Sequence, residues 1–422
     1  MHNLTTEKQE RAVLVGIELG PEHGIASEES LAELRALTES AGAEIAATVR
    51  QKLKAPDSRT FIGKGKTAEV RDIAAAKGAS LAIFDDALTP AQARNLENEM
   101  KLRVIDRSQL ILDIFAQRAR TLEGKLQVEI AQLSYLQPRL TRQWSHLSRV
   151  RGGGSGTGVG TRGPGETQLE VDRRKIRERL TRLRARLGEV ERTRGIQRRR
   201  RLEVPYPTVA LVGYTNSGKS TLMNALTDAG VEVADRPFST LDPTIRRLKL
   251  PGRMNVMLAD TVGFIHRLPH MLVEAFKATL EEVRTATLLL HVVDASSELA
   301  SERMTVVEEV LKEIGAAAIP RIVVLNKTDL MEHPQRGGSD AIAVSALRGE
   351  GLDRLLEAIA RHLSRMREEV SVTFPARRGD LVAMARRDGE VLSEEYRDGL
   401  VSMRALVSAP VAGRLRKAAA AS

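Results

Sequence analysis

The chain has 422 residues, no cysteine, 3% aromatic residues and a formal net charge of +10 at pH 7. The length leaves room for several domains, and the lack of cysteine excludes disulfides and thiolate metal sites. Scarce aromatic rings argue against base stacking as a way to bind nucleic acid, whereas the positive charge points to a polyanionic partner. Since no apolar run approaches membrane-spanning length and the N-terminus lacks a signal-peptide core, we expect a cytoplasmic location without stable membrane insertion.

Residues 1–124 alternate strand and helix patterns and predict a small α/β domain with a parallel sheet covered by helices. The stretch Phe61–Lys66 has two glycines and two lysines before a helix and could hold a phosphate. It lacks the full phosphate-loop signature, however, and a solvated turn is the simpler interpretation. The predicted strands are 12–17, 45–49, 81–84 and 104–105, and the predicted helices are 30–40, 67–77, 90–100 and 107–120.

From Leu126 to Val190 the apolar residues recur alternately four and three positions apart, on both sides of a glycine-rich segment at 151–168. This spacing predicts an antiparallel coiled-coil hairpin over residues 125–203 with the glycine-rich loop at its tip. Pro138 is expected to kink or interrupt the first helix. We expect the loop to be disordered in the free protein and to become ordered against RNA.

The positive charge is concentrated on the second predicted helix. Residues 171–201 contain fourteen Lys and Arg side chains against four acidic ones, so this segment carries the whole excess of ten. A charge run is usually a solvated helix face. Like charges at this density repel one another unless a polyanion or an acidic neighbour compensates them, and we favour RNA phosphate.

Residues 204–367 carry the motifs that define the chemistry. A G-x-x-x-x-G-K-S sequence follows the apolar run 208–212 and precedes residues that can begin a helix, which is the setting of a phosphate-binding loop. Its glycines let backbone amides turn toward phosphate oxygens, Lys219 can reach the β- and γ-phosphates, and the Ser220 hydroxyl can bind Mg²⁺. The predicted nucleotide-binding residues here are Gly213, Tyr214, Thr215, Asn216, Ser217, Gly218, Lys219, Ser220 and Thr221.

Three further motifs, each after a strand-like run, complete the pattern of a guanine-nucleotide domain. The first puts a carboxylate where it can hold Mg²⁺ and a glycine amide where a γ-phosphate would lie. The second ends in a carboxylate that can accept both the N1–H and the exocyclic amine of guanine, neither of which adenine offers there. The third can place a backbone amide near the guanine O6. These motifs are Asp260, Thr261, Val262 and Gly263, then Asn326, Lys327, Thr328 and Asp329, then Ser345, Ala346 and Leu347.

A loop between the phosphate-binding loop and Asp260 must offer a hydroxyl to the metal when a γ-phosphate is present and release it afterwards. We predict Thr240 for this role, as in the Phe-x-Thr-Leu pattern of bacterial translation-type GTPases, with Thr244 as the rival. The predicted Mg²⁺ ligands are then Ser220, Thr240 and Asp260, and the predicted catalytic residues are Lys219, Thr240 and Gly263. The nucleotide-contacting residues of this loop are predicted to be Phe238, Ser239, Thr240, Leu241 and Asp242.

Phe264 stands directly after Gly263, where many GTPases carry a water-orienting glutamine. Because a phenyl ring cannot orient water through a hydrogen bond, we expect slow intrinsic hydrolysis, with the missing group supplied by a partner or by a cation. The side-chain oxygen of Asn216 could help to hold K⁺ beside the phosphates. The alternative is that Asn216 only bonds to the nearby backbone.

Residues 368–422 predict a small α+β appendage without a catalytic signature. A strand pattern covers 370–374 and a helix pattern covers 380–387. Val391 and the segment 396–407 could supply more strand, and the tail at 414–417 is basic.

Over most of its length the chain resembles the HflX family of bacterial GTPases. The resemblance rests on the nucleotide motifs, on Phe264, on residues 62–66 and on the glycine-rich segment that runs into 163–167. It implies a cytoplasmic GTPase that uses Mg²⁺, is slow alone and is stimulated by the ribosome. It also implies binding to rRNA and proteins of the large (50S) ribosomal subunit, with the hairpin tip reaching toward the peptidyl-transferase region. Stalled ribosomes would then be split or rescued under stress, and we expect a monomer.

Two other functions stay open. The chain could be a regulatory GTPase switch acting on a protein or on an anionic membrane surface, with which it would associate loosely. It could also remodel ribosomal RNA with ATP bound to the N-terminal domain, a possibility that the resemblance raises too. The placement of the charge favours the ribosomal function over the first alternative, and Asp329 favours it over the second.

Overall fold

The computed structural model describes residues 10–19, 24–143, 164–202, 206–227, 237–238, 243–265, 280–331 and 341–420. Contacts divide the chain into two compact units, of which the first extends to Glu191 and also includes Pro237 and Phe238. Four predicted switch residues, Ser239, Thr240, Leu241 and Asp242, lie outside the described residues, as does most of the predicted glycine-rich loop. No helix in the described ranges is long and apolar enough to cross a bilayer.

The N-terminal part of the first unit is a parallel sheet with strand order β2-β1-β3-β4, as the alternating pattern predicted. Strand β3 is buried along its whole length, because helices cover both faces of the sheet. The strands are β1 (Arg11–Leu19), β2 (Glu44–Leu53), β3 (Leu81–Phe84) and β4 (Arg103–Asp106). The helices are α1 (Gly24–Ser40), α2 (Lys64–Lys77), α3 (Pro90–Met100) and α4 (Arg107–Arg118).

The turn Phe61–Lys66, which could hold a phosphate according to its sequence, makes a hydrogen bond within the N-terminal domain. The Gly63 amide donates to Gln51 Oε1 at 3.0 Å, directly before α2 begins.

Asp85, at the end of β3, pairs with the buried guanidinium of Arg107 at 2.7 Å. Among the described residues no group of three or more acidic or histidine side chains could hold a metal.

Two long helices follow, α5 (Leu122–Gln143) and α6 (Pro164–Leu202). Leu180 and Leu183 of α6 are buried, as the predicted apolar stripe requires. Arg179 of α6 pairs with Glu129 of α5 at 2.8 Å, which joins the two helices. Helix α5 continues through Pro138, so the expected interruption does not occur.

The second unit contains a six-stranded sheet with strand order β10-β9-β8-β5-β7-β6. All neighbours are parallel except β6, which is antiparallel to β7. The carboxyl ends of the parallel strands therefore meet at one edge, where ligands bind in such sheets. The strands are β5 (Thr208–Val212), β6 (Thr244–Lys249), β7 (Asn255–Asp260), β8 (Leu288–Asp294), β9 (Arg321–Asn326) and β10 (Ala341–Ala343). The helices are α7 (Lys219–Thr227), α8 (Glu281–Arg284), α9 (Ala300–Glu313) and α10 (Leu352–Arg365).

The C-terminal residues form an antiparallel sheet with order β11-β13-β12, which has its own apolar core. The turn Asp398–Gly399, with φ values of 50° and 74°, joins β12 to β13. The predicted strand and helix are confirmed, and the basic tail at 414–417 lies within a final helix. These elements are β11 (Glu368–Pro375), α11 (Gly379–Asp388), β12 (Gly389–Arg397), β13 (Leu400–Val407) and α12 (Ala409–Ala420).

Candidate active site

The phosphate-loop motif connects β5 to α7, as its flanking sequence predicted. Helix α7 begins at Lys219, so the positive end of its dipole and the amides of its first turn face the loop. Gly218 has a φ of 90°, and a Cβ added there would lie 2.2 Å from the side-chain nitrogen of Asn326. Both observations explain why this position requires glycine.

Lys219 is a buried cation at the centre of the loop. Its Nζ donates to the carbonyl oxygens of Gly213 at 3.2 Å and Tyr214 at 2.8 Å. Burial lowers the pKa of Lys219 to about 8, while the Asp260 carboxylate acts in the opposite direction. A cation held among inward-facing amides can bind the β- and γ-phosphates of a nucleotide.

Ser220 and Asp260 supply oxygen atoms next to the phosphate loop. The Ser220 hydroxyl donates to Asp260 Oδ2 at 2.7 Å, and both side chains are buried. A hydroxyl beside a carboxylate is a donor set that fits Mg²⁺, which usually keeps water and phosphate as its other ligands. Thr261 has a different task, because its hydroxyl donates to the Leu211 carbonyl at 2.6 Å and ties β7 to β5.

The backbone at Phe264 is bonded to the phosphate loop on both sides. The Phe264 amide donates to the Gly213 carbonyl at 3.1 Å, and the Phe264 carbonyl accepts from the Thr215 amide at 2.7 Å. The Phe264 side chain is 1% exposed. A Cβ added at Gly263 would lie 2.9 Å from both Thr215 Cα and Lys219 Nζ, so glycine permits this close approach.

The guanine motifs meet at the ends of β9 and β10. Asn326 Nδ2 donates to the Ser217 carbonyl at 2.9 Å, and Asn326 Oδ1 accepts from the Ala346 amide at 3.0 Å. Asp329 Oδ1 accepts from the Ser345 hydroxyl at 2.6 Å, which fixes the carboxylate. The arrangement can present a carboxylate edge to the N1–H and amine of guanine.

Sequence reasoning missed two residues of this site. Asp294 pairs with Lys327 at 2.7 Å and so holds the lysine stem in place. It directly follows the apolar run 288–293, so the strand-end pattern that revealed the other motifs could have found it. His291 is buried in β8, and burial, with Arg321 and Lys219 nearby, lowers its pKa to about 4. A single histidine inside an apolar strand gives no signal of this position.

Phe238 belongs to the first compact unit, whereas the phosphate loop belongs to the second. Its ring is buried and meets the ring of Phe115 edge to face, with the centroids 4.5 Å apart. Its nucleotide contact stays a prediction, as does the metal-binding role of Thr240. Leu347, at the end of the third guanine motif, is 76% exposed.

The phosphate loop, the strand-end carboxylate and the Asn-Lys-x-Asp motif on one parallel sheet edge define a P-loop GTPase domain. Four family models match the chain in order: GTP-binding GTPase N-terminal over 28–116, GTP-binding GTPase middle region over 118–201, 50S ribosome-binding GTPase over 208–327 and HflX C-terminal domain over 330–418.

Curated relatives match over nearly the whole chain. The GTPase HflX of Caldanaerobacter subterraneus subsp. tengcongensis is 48% identical over 99% of this chain and 95% of that protein. The GTPase HflX of Escherichia coli (strain K12) is 47% identical over 88% of this chain and 87% of that protein. A GTP-binding protein from Sulfolobus solfataricus, solved with GDP, is 25% identical over 85% of this chain and 99% of that one, with a TM-score of 0.44. The chain belongs to the HflX family and is a GTPase that converts GTP to GDP and phosphate.

Proposed function

We propose that this GTPase binds the large ribosomal subunit through its arginine-rich helix and splits or rescues stalled ribosomes under stress. The supporting observation is the exposed cationic surface of α6. Leu180 and Leu183 are buried, whereas many Lys and Arg side chains of this helix are exposed. The exposed ones are Arg173, Arg174, Lys175, Arg177, Arg179, Arg182, Arg184, Arg186 and Arg192.

Carboxylates compensate part of this surface, and Arg179 pairs with Glu129 of α5 at 2.8 Å. Within α6, Arg174 pairs with Glu178 at 3.7 Å and Lys175 with Asp172 at 4.0 Å, and exposed pairs of this kind stabilise little. Since like charges remain close together on this helix, a partner with closely spaced negative charges would stabilise it most. Ribosomal RNA offers that row, and the family description of the GTPase domain names the 50S subunit.

We further assign the roles within the nucleotide site. Lys219 and the loop amides hold the phosphates, Gly263 offers its amide to the γ-phosphate, and Asp329 selects guanine. Ser220, Asp260 and Thr240 hold Mg²⁺, which when bound neutralises charge on the β- and γ-phosphate oxygens. The close Ser220–Asp260 pair supports the metal assignment.

The buried ring of Phe264 leaves the attacking water without a side-chain partner at this position, so hydrolysis is slow in the free protein. We propose that the ribosome supplies the missing alignment and that K⁺ contributes beside the phosphates. Asn216 supports the second idea, because it is exposed and has a φ of 60°. Equal hydrolysis rates in K⁺ and Na⁺ buffers would exclude it.

The test is GTP hydrolysis with and without purified 50S subunits, at low and high salt. The variant R177A/R184A/R186A should lose most of the stimulation while its GTP affinity stays unchanged. The slope of log affinity against log salt should fall by about one for each arginine that contacts a phosphate.

A matched control, R397A/R404A/R416A, removes the same charge from exposed positions of the C-terminal domain. It should keep the stimulation. If 50S subunits fail to stimulate hydrolysis in the unmodified protein, a protein or membrane effector becomes the better proposal. Splitting itself is measured by sedimentation of 70S ribosomes after incubation with the protein and GTP.

A further inference from the structure

We propose that His291 of β8 is a positioning residue for nucleotide binding, which acts on Ser217 of the phosphate loop through one shared water molecule. The water occupies a small cavity between the loop and β8. All the residues involved belong to the second compact unit. The inference rests on the proposed phosphate-holding role of the loop, and the variants chosen to test it separate the failure of either idea.

Two polar atoms beside the phosphate loop are buried without a protein partner. The Oγ atom of Ser217 and the Nδ1 atom of His291 make no hydrogen bond within the described part of the chain. Each residue is 1% exposed. A buried polar group without a partner costs free energy, so such atoms in folded proteins are usually bonded to ordered water where no protein group is available.

Both residues line the same cavity, which also borders Thr215 and Asp294. Its volume is about 10 Å³, close to the space that a single water molecule requires. A buried water molecule needs several polar partners, and Ser217 Oγ and His291 Nδ1 supply two of them. The cavity is too small for a nucleotide or another metabolite, so water is the ligand that fits this site.

Water suits both atoms because it can donate and accept hydrogen bonds. Burial, with Arg321 and Lys219 nearby, lowers the pKa of His291 to about 4, so the imidazole is neutral at pH 7. A neutral imidazole has one donor nitrogen and one acceptor nitrogen, and a serine hydroxyl can play either part. The bridge is therefore satisfied with either tautomer of the ring.

The cavity lies where the phosphate loop meets β8. Val212, the last residue of β5, pairs with His291 in the sheet, and the loop starts at the next residue. A Cβ added at Gly213 would lie 2.2 Å from the carbonyl oxygen of Val292, so the loop and β8 are in close backbone contact. A change at His291 therefore acts on the loop at short range.

Ser217 is held through both its backbone and its side chain. Its carbonyl oxygen accepts Asn326 Nδ2 at 2.9 Å, and its amide donates to the Tyr214 carbonyl at 3.3 Å. These bonds fix the backbone, whereas the water fixes the side chain against β8. A loop with fewer accessible conformations binds phosphates more tightly, because less conformational entropy is lost on binding. Loss of the bridge should therefore weaken GTP and GDP binding alike, mainly through faster release.

The experiment compares His291→Leu with His291→Asn in the full chain. Leucine fills much of the space of the ring but offers no polar atom, whereas asparagine keeps a polar atom near the position of Nδ1. Release of fluorescent GTP and GDP analogues is measured by stopped flow, together with thermal unfolding. We expect His291→Leu to release both nucleotides about tenfold faster, the worth of one buried hydrogen bond. His291→Asn should release them at nearly the rate of the unmodified protein.

Leu289→Val is the matched control for a change inside β8. Leu289 lies two residues before His291, on the same face of the strand, and is 0% exposed. It does not belong to the lining of the cavity. This variant should lower the unfolding temperature and leave nucleotide release unchanged, because it removes buried volume without touching the bridge.

Two further variants complete the kinetic test. Ser217→Ala should release nucleotides as fast as His291→Leu, and the double variant should be no faster than either, because both changes remove the same bridge. Lys219→Ala reports on the premise, and normal nucleotide affinity in this variant would show that the loop does not hold the phosphates. If Lys219→Ala loses affinity while His291→Leu releases nucleotides normally, or if His291→Asn is as fast as His291→Leu, the positioning role is overturned.

The water itself is tested by a crystal structure of the full chain with GDP. One water molecule should lie within hydrogen-bond distance of Ser217 Oγ and His291 Nδ1. A dry cavity, or a direct bond between the two side chains, overturns the bridge.

Discussion

The side-chain nitrogen of Asn326 lies 2.9 Å from the carbonyl oxygen of Ser217, so one amide joins the guanine motif to the phosphate loop. Its oxygen accepts the Ala346 amide at 3.0 Å and adds the third motif. Three loops that are distant in sequence are therefore held by a residue with 2% exposure. Asn326 acts on the nucleotide through the protein backbone, in contrast to the direct contact proposed for Asp329.

Replacing Asn326 by Ala should weaken GTP and GDP binding to the same extent. The change leaves the Ser217 carbonyl and the Ala346 amide without partners, and each loss costs about 1–3 kcal/mol, so both dissociation constants should rise roughly 30-fold or more. Titration with fluorescent nucleotides measures this. Asn95→Ala, which removes an exposed amide of the first unit, is the control and should bind normally. Weaker binding of only GTP or only GDP would contradict the bridging role of Asn326.

Replacing Asp329 by Asn should change base preference. Asparagine keeps an oxygen for the Ser345 hydroxyl, but its NH₂ group opposes the guanine amine and N1–H. GTP affinity should fall by about 100-fold, the worth of two hydrogen bonds to a charged group, and xanthosine triphosphate should gain because its 2-oxo group accepts a bond. Competition between the two nucleotides measures the change. Weaker binding of both GTP and xanthosine triphosphate would mean that Asp329 only supports the loop.

Replacing Phe264 by Gln should not raise intrinsic hydrolysis. The backbone there is bonded to Gly213 and Thr215, and the side chain is enclosed, so a glutamine amide would enter the core instead of reaching the water. Burying an amide without partners costs about 1–3 kcal/mol, so the unfolding temperature should fall. Single-turnover rates and thermal unfolding test both parts, and a faster rate in the variant would show that this side chain can turn toward the phosphates.

His291 should make the protein less stable in mild acid. Burial lowers its pKa to about 4 in the folded state, against 6.5 for the exposed group, so between these values the unfolded chain binds a proton that the folded chain does not. Stability therefore falls as pH falls, by about 2 kcal/mol between pH 7 and pH 5 from this residue.

Urea unfolding of His291→Leu at the two pH values checks this contribution. The variant should lose about that amount of the pH dependence, because leucine does not titrate. Val292→Ala, a neighbouring change in the same strand, should lower stability equally at both pH values. An unchanged pH dependence in His291→Leu would show that the histidine has the same pKa in the folded and unfolded states.

The placement of the nucleotide motifs at the strand ends was predictable from sequence because each motif is local. A glycine pattern before Lys219 or a carboxylate after a β-branched run indicates its chemistry from a few adjacent residues. The sheet then brings the strand ends together. Asp294 also follows a strand-like run and could have been recognised in the same way. The possible strand at 396–407 ran across the Asp398–Gly399 turn, which could have been recognised because Asp-Gly between two strand patterns is a strong hairpin signal.

The remaining features depend on contacts between distant parts of the chain. The strand order β2-β1-β3-β4 follows from packing that strand and helix patterns do not encode. The insertion of Phe238 beside Phe115 could not be predicted, because a Phe-Ser-Thr-Leu segment looks the same whether its ring faces nucleotide, solvent or another domain. Burial of His291 likewise depends on neighbours from other strands.

The helix that carries Phe115 ends at Arg118, and α5 begins at Leu122. The Ala119 amide donates to the carbonyl oxygen of Phe115 at 2.9 Å, in the last turn of α4. Only the three residues 119–121 thus separate α4 from α5, the first of the two long helices, and the second of these helices carries the arginines. Insertion of a flexible spacer at this joint would let the long helices pivot independently of the N-terminal sheet while the elements on either side stay intact.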